Sequence, residues 1–248
     1  MANVTLEDHG KVGLLRMTGG ATNALSPAMV GDLFEALTEA GKRFRGLVLA
    51  GGEKFFSIGL NLPELIALDT RRMTDFWTRF EDTVLALYSL PVPTAAAIAG
   101  HATAGGAILA LACDFRFVAT GRKLIGLNEV KIGLAVPYLP DRMLRQIVGD
   151  RTATRLTYHG VFLEPEEARA VGLVDGVAAD GEVEAQALSA VAELAALPPL
   201  GLSQIKRNRV RDLKADFEAR RQSLMEEFLE CWFSPPAREA LKEAAKKF

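Results

Sequence analysis

Thr94-Ala95-Ala96-Ala97-Ile98-Ala99-Gly100-His101-Ala102-Thr103-Ala104-Gly105-Gly106-Ala107-Ile108 is the stretch on which the fold turns. Pro93 and Gly100 bracket a strand of small residues, and Gly105-Gly106 opens an apolar helix that runs through Ala112. The apolar region from Pro93 to Cys113 is interrupted by Gly100, His101 and the glycine pair. It therefore reads as a buried strand and a buried helix, not as a membrane span. Two glycines at a helix start leave free N–H groups at the positive end of the helix dipole, a place suited to negative charge on an oxygen. Glycines there also serve a second purpose, close packing of backbone on backbone. His101 reads as a strand-terminal histidine satisfied by local hydrogen bonds, and it is given no catalytic role.

Outward from this stretch the pattern alternates strand and helix. Val4 to Leu6 and Val12 to Met17 read as strands around a His9-Gly10 turn. Pro27 sits just inside a helix with Ser26 as its N-cap, and Leu33, Leu37 and Ala40 continue the apolar face. A strand at Arg45 to Ala50 follows, then a helix over Arg71 to Leu90 stopped by Pro91 and Pro93. Strands are expected at Asp114 to Ala119 and Leu124 to Ile125, helices near Arg142 to Ile147, Thr152 to Tyr158 and Pro165 to Ala170, and a last strand at Leu173 to Val177. From Glu182 onward the pattern is helical, broken at Pro198-Pro199 and Pro235-Pro236. Residues 1–195 read as a core of repeated β–β–α units, and residues 196–248 as a helical region packed on that core or on a partner subunit.

Composition narrows the function classes. The chain has 248 residues, enough for a sizeable core, with 49% hydrophobic and 24% charged residues. A formal charge of −2 from 29 basic and 31 acidic side chains gives no electrostatic footprint for nucleic acid or an anionic membrane. Cys113 and Cys231 are too far apart for a disulfide framework or metal-ligand spacing, and no metal site is expected. The start, Met1-Ala2-Asn3-Val4, lacks a signal-type segment, so a cytoplasmic protein is the expectation. Lys206-Arg207-Asn208-Arg209-Val210-Arg211 concentrates cations, either as a solvated helix face or as a place for phosphates.

Two further stretches stand out. Phe55-Phe56-Ser57-Ile58-Gly59-Leu60-Asn61-Leu62 follows a strand and carries a glycine where backbone can come close to another group; its plain alternative is a tight turn with two core phenylalanines. In Ile125-Gly126-Leu127-Asn128-Glu129-Val130-Lys131-Ile132-Gly133-Leu134-Ala135-Val136-Pro137 one carboxylate lies in an apolar run. Burial there would raise its pKa toward that of a general base, unless Lys131 simply neutralises it.

Taken in order, the three stretches resemble the crotonase superfamily of enoyl-CoA hydratases and isomerases. The resemblance implies a crotonase (ClpP-like) α/β fold, with stacked sheets of β–β–α units surrounded by helices. It implies an acyl-CoA thioester whose carbonyl is held by the N–H groups of Leu60 and Gly105, with coenzyme A carried by the substrate and no bound prosthetic group. The CoA adenine would rest near Ser57 and Ile58, and Lys206 and Arg207 would meet its phosphates. Leu60, and the run ending in Glu129, look like the mitochondrial-type Δ3,Δ2-enoyl-CoA isomerases, which makes Glu129 the catalytic acid–base residue. Asn61 stands where the family usually has an acid. Ile108 stands where hydratases carry the first of two glutamates, so the resemblance favours moving a 3-enoyl double bond to the 2-position over adding water. Hydration and thioester hydrolysis remain the alternatives. Phe76, Trp77, Ile108, Tyr138, Phe228 and Trp232 would wall the acyl pocket, with Phe80 nearby. Helical spacing of Phe228 and Trp232 is equally what a subunit contact needs. Fatty-acid metabolism and a homotrimer or hexamer complete what the resemblance implies.

Overall fold

Helix α1 (Pro27–Arg43) starts where the sequence places it: the Ser26 hydroxyl accepts the Met29 N–H at 3.1 Å, and Pro27 occupies the first turn. It connects strand β2 (Val12–Met17) to strand β3 (Gly46–Ala50), which pair in parallel, as a strand–helix–strand crossover requires. The computed structural model describes residues 3–246. Its main sheet has six strands in the order β1 (Val4–His9), β2, β3, β5 (Thr94–Ile98), β7 (Phe115–Ala119) and β9 (Gly176–Ala178). The β1–β2 hairpin is antiparallel and every other neighbour is parallel.

Alternation along these strands loads both faces. Leu15, Met17, Leu47, Leu49, Ala96, Ile98 and Val118 face the larger core, together with α1 and the apolar residues of α3 (Thr70–Ser89) and α4 (Gly105–Leu111). Val12, Leu14, Val48, Ala50, Ala95, Ala97 and Phe117 face a second cluster, capped by Val183, Ala187, Val191 and Ala195 of α8 (Val183–Ala196). The small side chains of β5 let this central strand be covered closely on both sides.

A second, three-stranded sheet positions the site. It consists of β4 (Phe55–Ser57), β6 (His101–Thr103) and β8 (Ile125–Gly126), all parallel. Each short strand follows a main-sheet strand and precedes helical structure: β3–β4 leads to α2 (Leu62–Leu65) and α3, β5–β6 to α4, and β7–β8 to a 3-10 turn at Glu129–Ile132. This is the repeated β–β–α unit that the resemblance implies. Helices α5 (Tyr138–Val148), α6 (Asp150–His159) and α7 (Pro165–Ala170) complete the core. The chain ends in α9 (Pro199–Phe233), broken from α8 by the two prolines, and α10 (Pro235–Ala245). Helix α9 packs on α3 and α5, and α10 on α2 and the 3-10 turn. Among the described residues no single helix is long and apolar enough to cross a membrane.

Candidate active site

The ends of β4 and β6 bring two backbone amides together. Beyond β4, Gly59 adopts φ +100°, and beyond β6, Ala104 adopts φ 48° and ψ −121°. A non-glycine residue in that region stores roughly 1–3 kcal/mol of strain. Ala104 is held there by its N–H to the Gly126 carbonyl at 3.0 Å. A Cβ on Gly59 would stand 3.0 Å from the Gly105 nitrogen, and one on Gly105 would stand 3.5 Å from the Leu60 nitrogen. The bridge between Leu25 and Leu60 uses the Leu25 N–H to the Gly59 carbonyl (2.8 Å) and the Asn61 N–H to the Leu25 carbonyl (3.1 Å), and takes nothing from the Leu60 amide. Gly105, as the first residue of α4, has no intrahelical acceptor. Thr103 ties the two loops: its hydroxyl donates to the Ile58 carbonyl at 2.9 Å. Gly106 serves the other purpose of the pair, since a Cβ there would fall 2.3 Å from the Ser57 carbonyl oxygen.

These loops line a cavity of about 190 Å³. Ile58, Leu60, Gly105, Ile108, Asn128 and Glu129 form one part of its wall, with Trp77 and Phe80 from α3, Leu134, Phe228 from α9 and Ala244 from α10. Glu129 is 6% exposed, and its Oε2 has no hydrogen-bond partner among the described residues. Burial pushes its carboxyl up to about 7. Lys131 does not offset this: burial dominates the Glu129 carboxyl, and the Lys131 ammonium lies 6.0 Å from the centroid of the Phe162 ring. The result is a carboxyl poised near neutrality in a largely hydrocarbon cavity with two amides on its wall.

Eight of the residues singled out from the sequence meet here: Ile58, Leu60, Trp77, Phe80, Gly105, Ile108, Glu129 and Phe228. Others do not. Ser57 is buried beneath the loop, donating to the Asn23 carbonyl at 2.8 Å and accepting the Gly59 N–H at 3.2 Å. Phe76 points away from the cavity into an outer groove with Pro27, Leu68 and Arg79, because one residue along a helix rotates the side chain by about 100°. Tyr138 turns its hydroxyl to Asp216, and the cavity is lined instead by the preceding Pro137. Trp232 is fully buried in the core. Lys206 is corrected most sharply. Its ammonium is buried against the Val92 carbonyl (2.9 Å) and the Asp114 carboxylate (2.7 Å), so it pins α9 to the starts of β5 and β7 and has no charge to spare for a phosphate. Arg207 is exposed and bonds Gln204 of its own helix at 2.9 Å. His101 accepts the Leu124 N–H at 2.8 Å, a local role.

Sequence reading missed Asn128, Thr103, Ala104 and Ala244 as lining residues. The first sits beside Glu129 and was within reach; the small residues carry no chemical signal. It also missed Glu81, a buried acid whose Oε1 accepts the Trp77 indole N–H at 3.1 Å. The described residues include no cluster of three or more His, Cys, Asp or Glu able to hold a metal ion.

Residues 7–246 match the enoyl-CoA hydratase/isomerase family. The human mitochondrial enoyl-CoA delta isomerase 1 is 34% identical over 191 residues, 75% of this chain and 63% of that protein. A putative enoyl-CoA hydratase from Thermus thermophilus is 38% identical over 192 residues, 74% of each chain. The crystal structure of human mitochondrial delta3-delta2-enoyl-CoA isomerase superposes with a TM-score of 0.95 at 27% identity, over 99% of this chain and 97% of that one. The matched segment thus spans somewhat less than two thirds of the human isomerase's full length. The human protein is mitochondrial by name, which overturns the expectation of a cytoplasmic protein. Fold, motifs and relatives agree that this chain belongs to the enoyl-CoA hydratase/isomerase family of the crotonase superfamily.

Proposed function

We propose that this protein is an acyl-CoA enzyme that moves a 3-enoyl double bond to the 2-position. The observation that carries the reading is that Glu129 is the one acid among the described residues lining the cavity, with Ile108 presenting hydrocarbon on the wall beside it. Adding water calls for a second group to orient it; a double-bond shift needs one carboxylate and a place for negative charge.

In this mechanism the thioester oxygen accepts hydrogen bonds from the Leu60 and Gly105 N–H groups. The Glu129 carboxylate takes a proton from C2, and the electron pair left behind delocalises through the C3–C4 double bond and onto the thioester oxygen. The same proton then returns from Glu129 to C4, which leaves the double bond between C2 and C3. No atom is gained or lost. A carboxyl near pH 7 suits both halves, because it must accept and then release one proton. The apolar walls keep water from quenching the intermediate.

Residues 1–195 would supply this chemistry, and the helical region 196–248 would cover the acyl group and take part in a homotrimer or hexamer. Support comes from Phe228 and Ala244 on the cavity wall and from the exposed Leu200 and Ile205 at the other end of α9.

The test is a direct assay with a 3-enoyl-CoA and, separately, a 2-enoyl-CoA, each repeated with Glu129→Gln. Conversion of the first to the 2-enoyl product, lost in the variant, is expected. Hydration of the 2-enoyl substrate with the 3-enoyl one untouched would overturn the reading. Hydratase-named relatives such as the Thermus thermophilus protein keep that alternative in view.

A further inference from the structure

Glu81 is a buried acid that the proposed reaction does not use. It lies one turn after Trp77 on α3, is 7% exposed, and accepts the indole N–H through Oε1 at 3.1 Å. Its Oε2 has no hydrogen-bond partner among the described residues and stands 3.8 Å from the Arg221 Nε of α9. Arg221 is itself fixed by the Asp82 carboxylate and the Thr78 carbonyl. Two turns further along α9, Phe228 stacks on Trp77 with ring centroids 3.6 Å apart and planes 8° from parallel. Both rings face the cavity. One face of α9 thus supplies the cation beside the acid and the ring against the indole.

We propose that Glu81 is a positioning residue that holds the Trp77 indole flat against Phe228 and thereby limits the length of acyl chain the cavity accepts. The claim rests on the acyl-CoA reading above. A wall made for packing alone has no use for a carboxylate, whose burial is costly and which a leucine could replace at similar volume. What the carboxylate adds is direction. An indole N–H in an apolar wall needs an acceptor, and a fixed acceptor selects one ring orientation. Without it the indole is free to swing off Phe228, and the cavity deepens between α3 and α9.

The test uses binding, not turnover. Butyryl-CoA and lauroyl-CoA, both saturated and unreactive toward a double-bond shift, are titrated calorimetrically into the wild type, Glu81→Ala and Glu81→Gln. Glu81→Ala is expected to improve lauroyl affinity relative to butyryl by roughly tenfold, the scale of a small change in a hydrophobic pocket. Glu81→Gln keeps an acceptor and should retain the wild-type ratio. Equal weakening of both ligands, or an unchanged ratio in Glu81→Ala, would overturn the proposal. A parallel NMR measurement follows the Trp77 indole N–H, which should shift and exchange faster in Glu81→Ala but not in Glu81→Gln; no change there removes the clamp itself. If the wild type binds neither ligand while the indole responds as expected, the acyl-CoA reading and the length limit fall together, and the clamp stands.

Discussion

Glu129 and the glycines Gly59 and Gly105 divide the work differently. In the proposed reaction Glu129 would act through its side chain, so its ionisation should appear in the rate. With the carboxyl at about 7, turnover of a 3-enoyl-CoA at low substrate should rise with pH and reach half its plateau near that value, as the carboxylate that removes the proton becomes populated. A profile flat across neutral pH would remove Glu129 as the base. Gly59 and Gly105 would contribute through the space they leave open. At Gly105 an added methyl meets the flexible Leu25 Cδ1 at 2.9 Å, so Gly105→Ala is expected to fold and to lower kcat by roughly 10²–10³, the scale of losing one such donor. At Gly59 the methyl meets backbone at φ +100°, and Gly59→Ala should lower the melting temperature as well as kcat. Equal melting temperatures for the two variants would contradict this ordering. Both glycines were visible in the sequence, as was Glu129. The strained Ala104 was not, because alanine announces nothing about φ.

At the level of elements, capping and breaking signals were legible, and of the three short strands only β8 was, where the strand expected at Leu124 to Ile125 overlaps Ile125–Gly126. Ser26-Pro27 set the start of α1, and the paired prolines set both ends of α9. The strands β4 and β6 hold only three residues each, too few for period-two alternation to register, and their pairing is entirely non-local. Helix faces were resolved only in part: Phe76, Trp77 and Phe80 share an apolar sector, yet only the latter two reach the cavity. Lys206 was misread for a related reason. A run of cations looks solvated, and only the fold reveals that one of them reaches Asp114 across 92 residues of chain. Lys206→Ala should therefore destabilise by about 1–3 kcal/mol, the scale of losing hydrogen bonds to a charged group whose carboxylate partner stays partly exposed, measured by urea unfolding. The ratio of its affinities for acyl-CoA and the 3′-dephospho analogue should match the wild type; a changed ratio would restore the phosphate role.

For the molecule as a whole, two buried acids set a direction for stability against pH. Glu81 and Glu129 both titrate near 7 in the folded chain, above the ordinary 4.5, chiefly through burial. Between those values the folded chain keeps protons that the unfolded chain has released. Their contribution is therefore fully present below 4.5 and is lost as pH rises through about 7. A tenfold difference in proton affinity between the folded and unfolded chain is worth about 1.4 kcal/mol at most. Glu129→Gln should accordingly melt higher than the wild type above about pH 8 and lose that advantage on acidification; a melting difference independent of pH would place the stability effect elsewhere. Order, spacing and chemistry of three stretches made the overall architecture legible, while compartment was not, because targeting is written apart from the fold. The juxtaposition of Gly59, Leu60, Ala104 and Gly105 also bears on how the protein should be dissected in the laboratory. Alanine scanning works by removing functional groups beyond Cβ, and main-chain amides have none. A scan of this chain would single out Glu129 and report Leu60 as tolerant. The remaining half of the apparatus would come to light only through substitutions that add atoms, or through amide-to-ester replacement of the backbone itself.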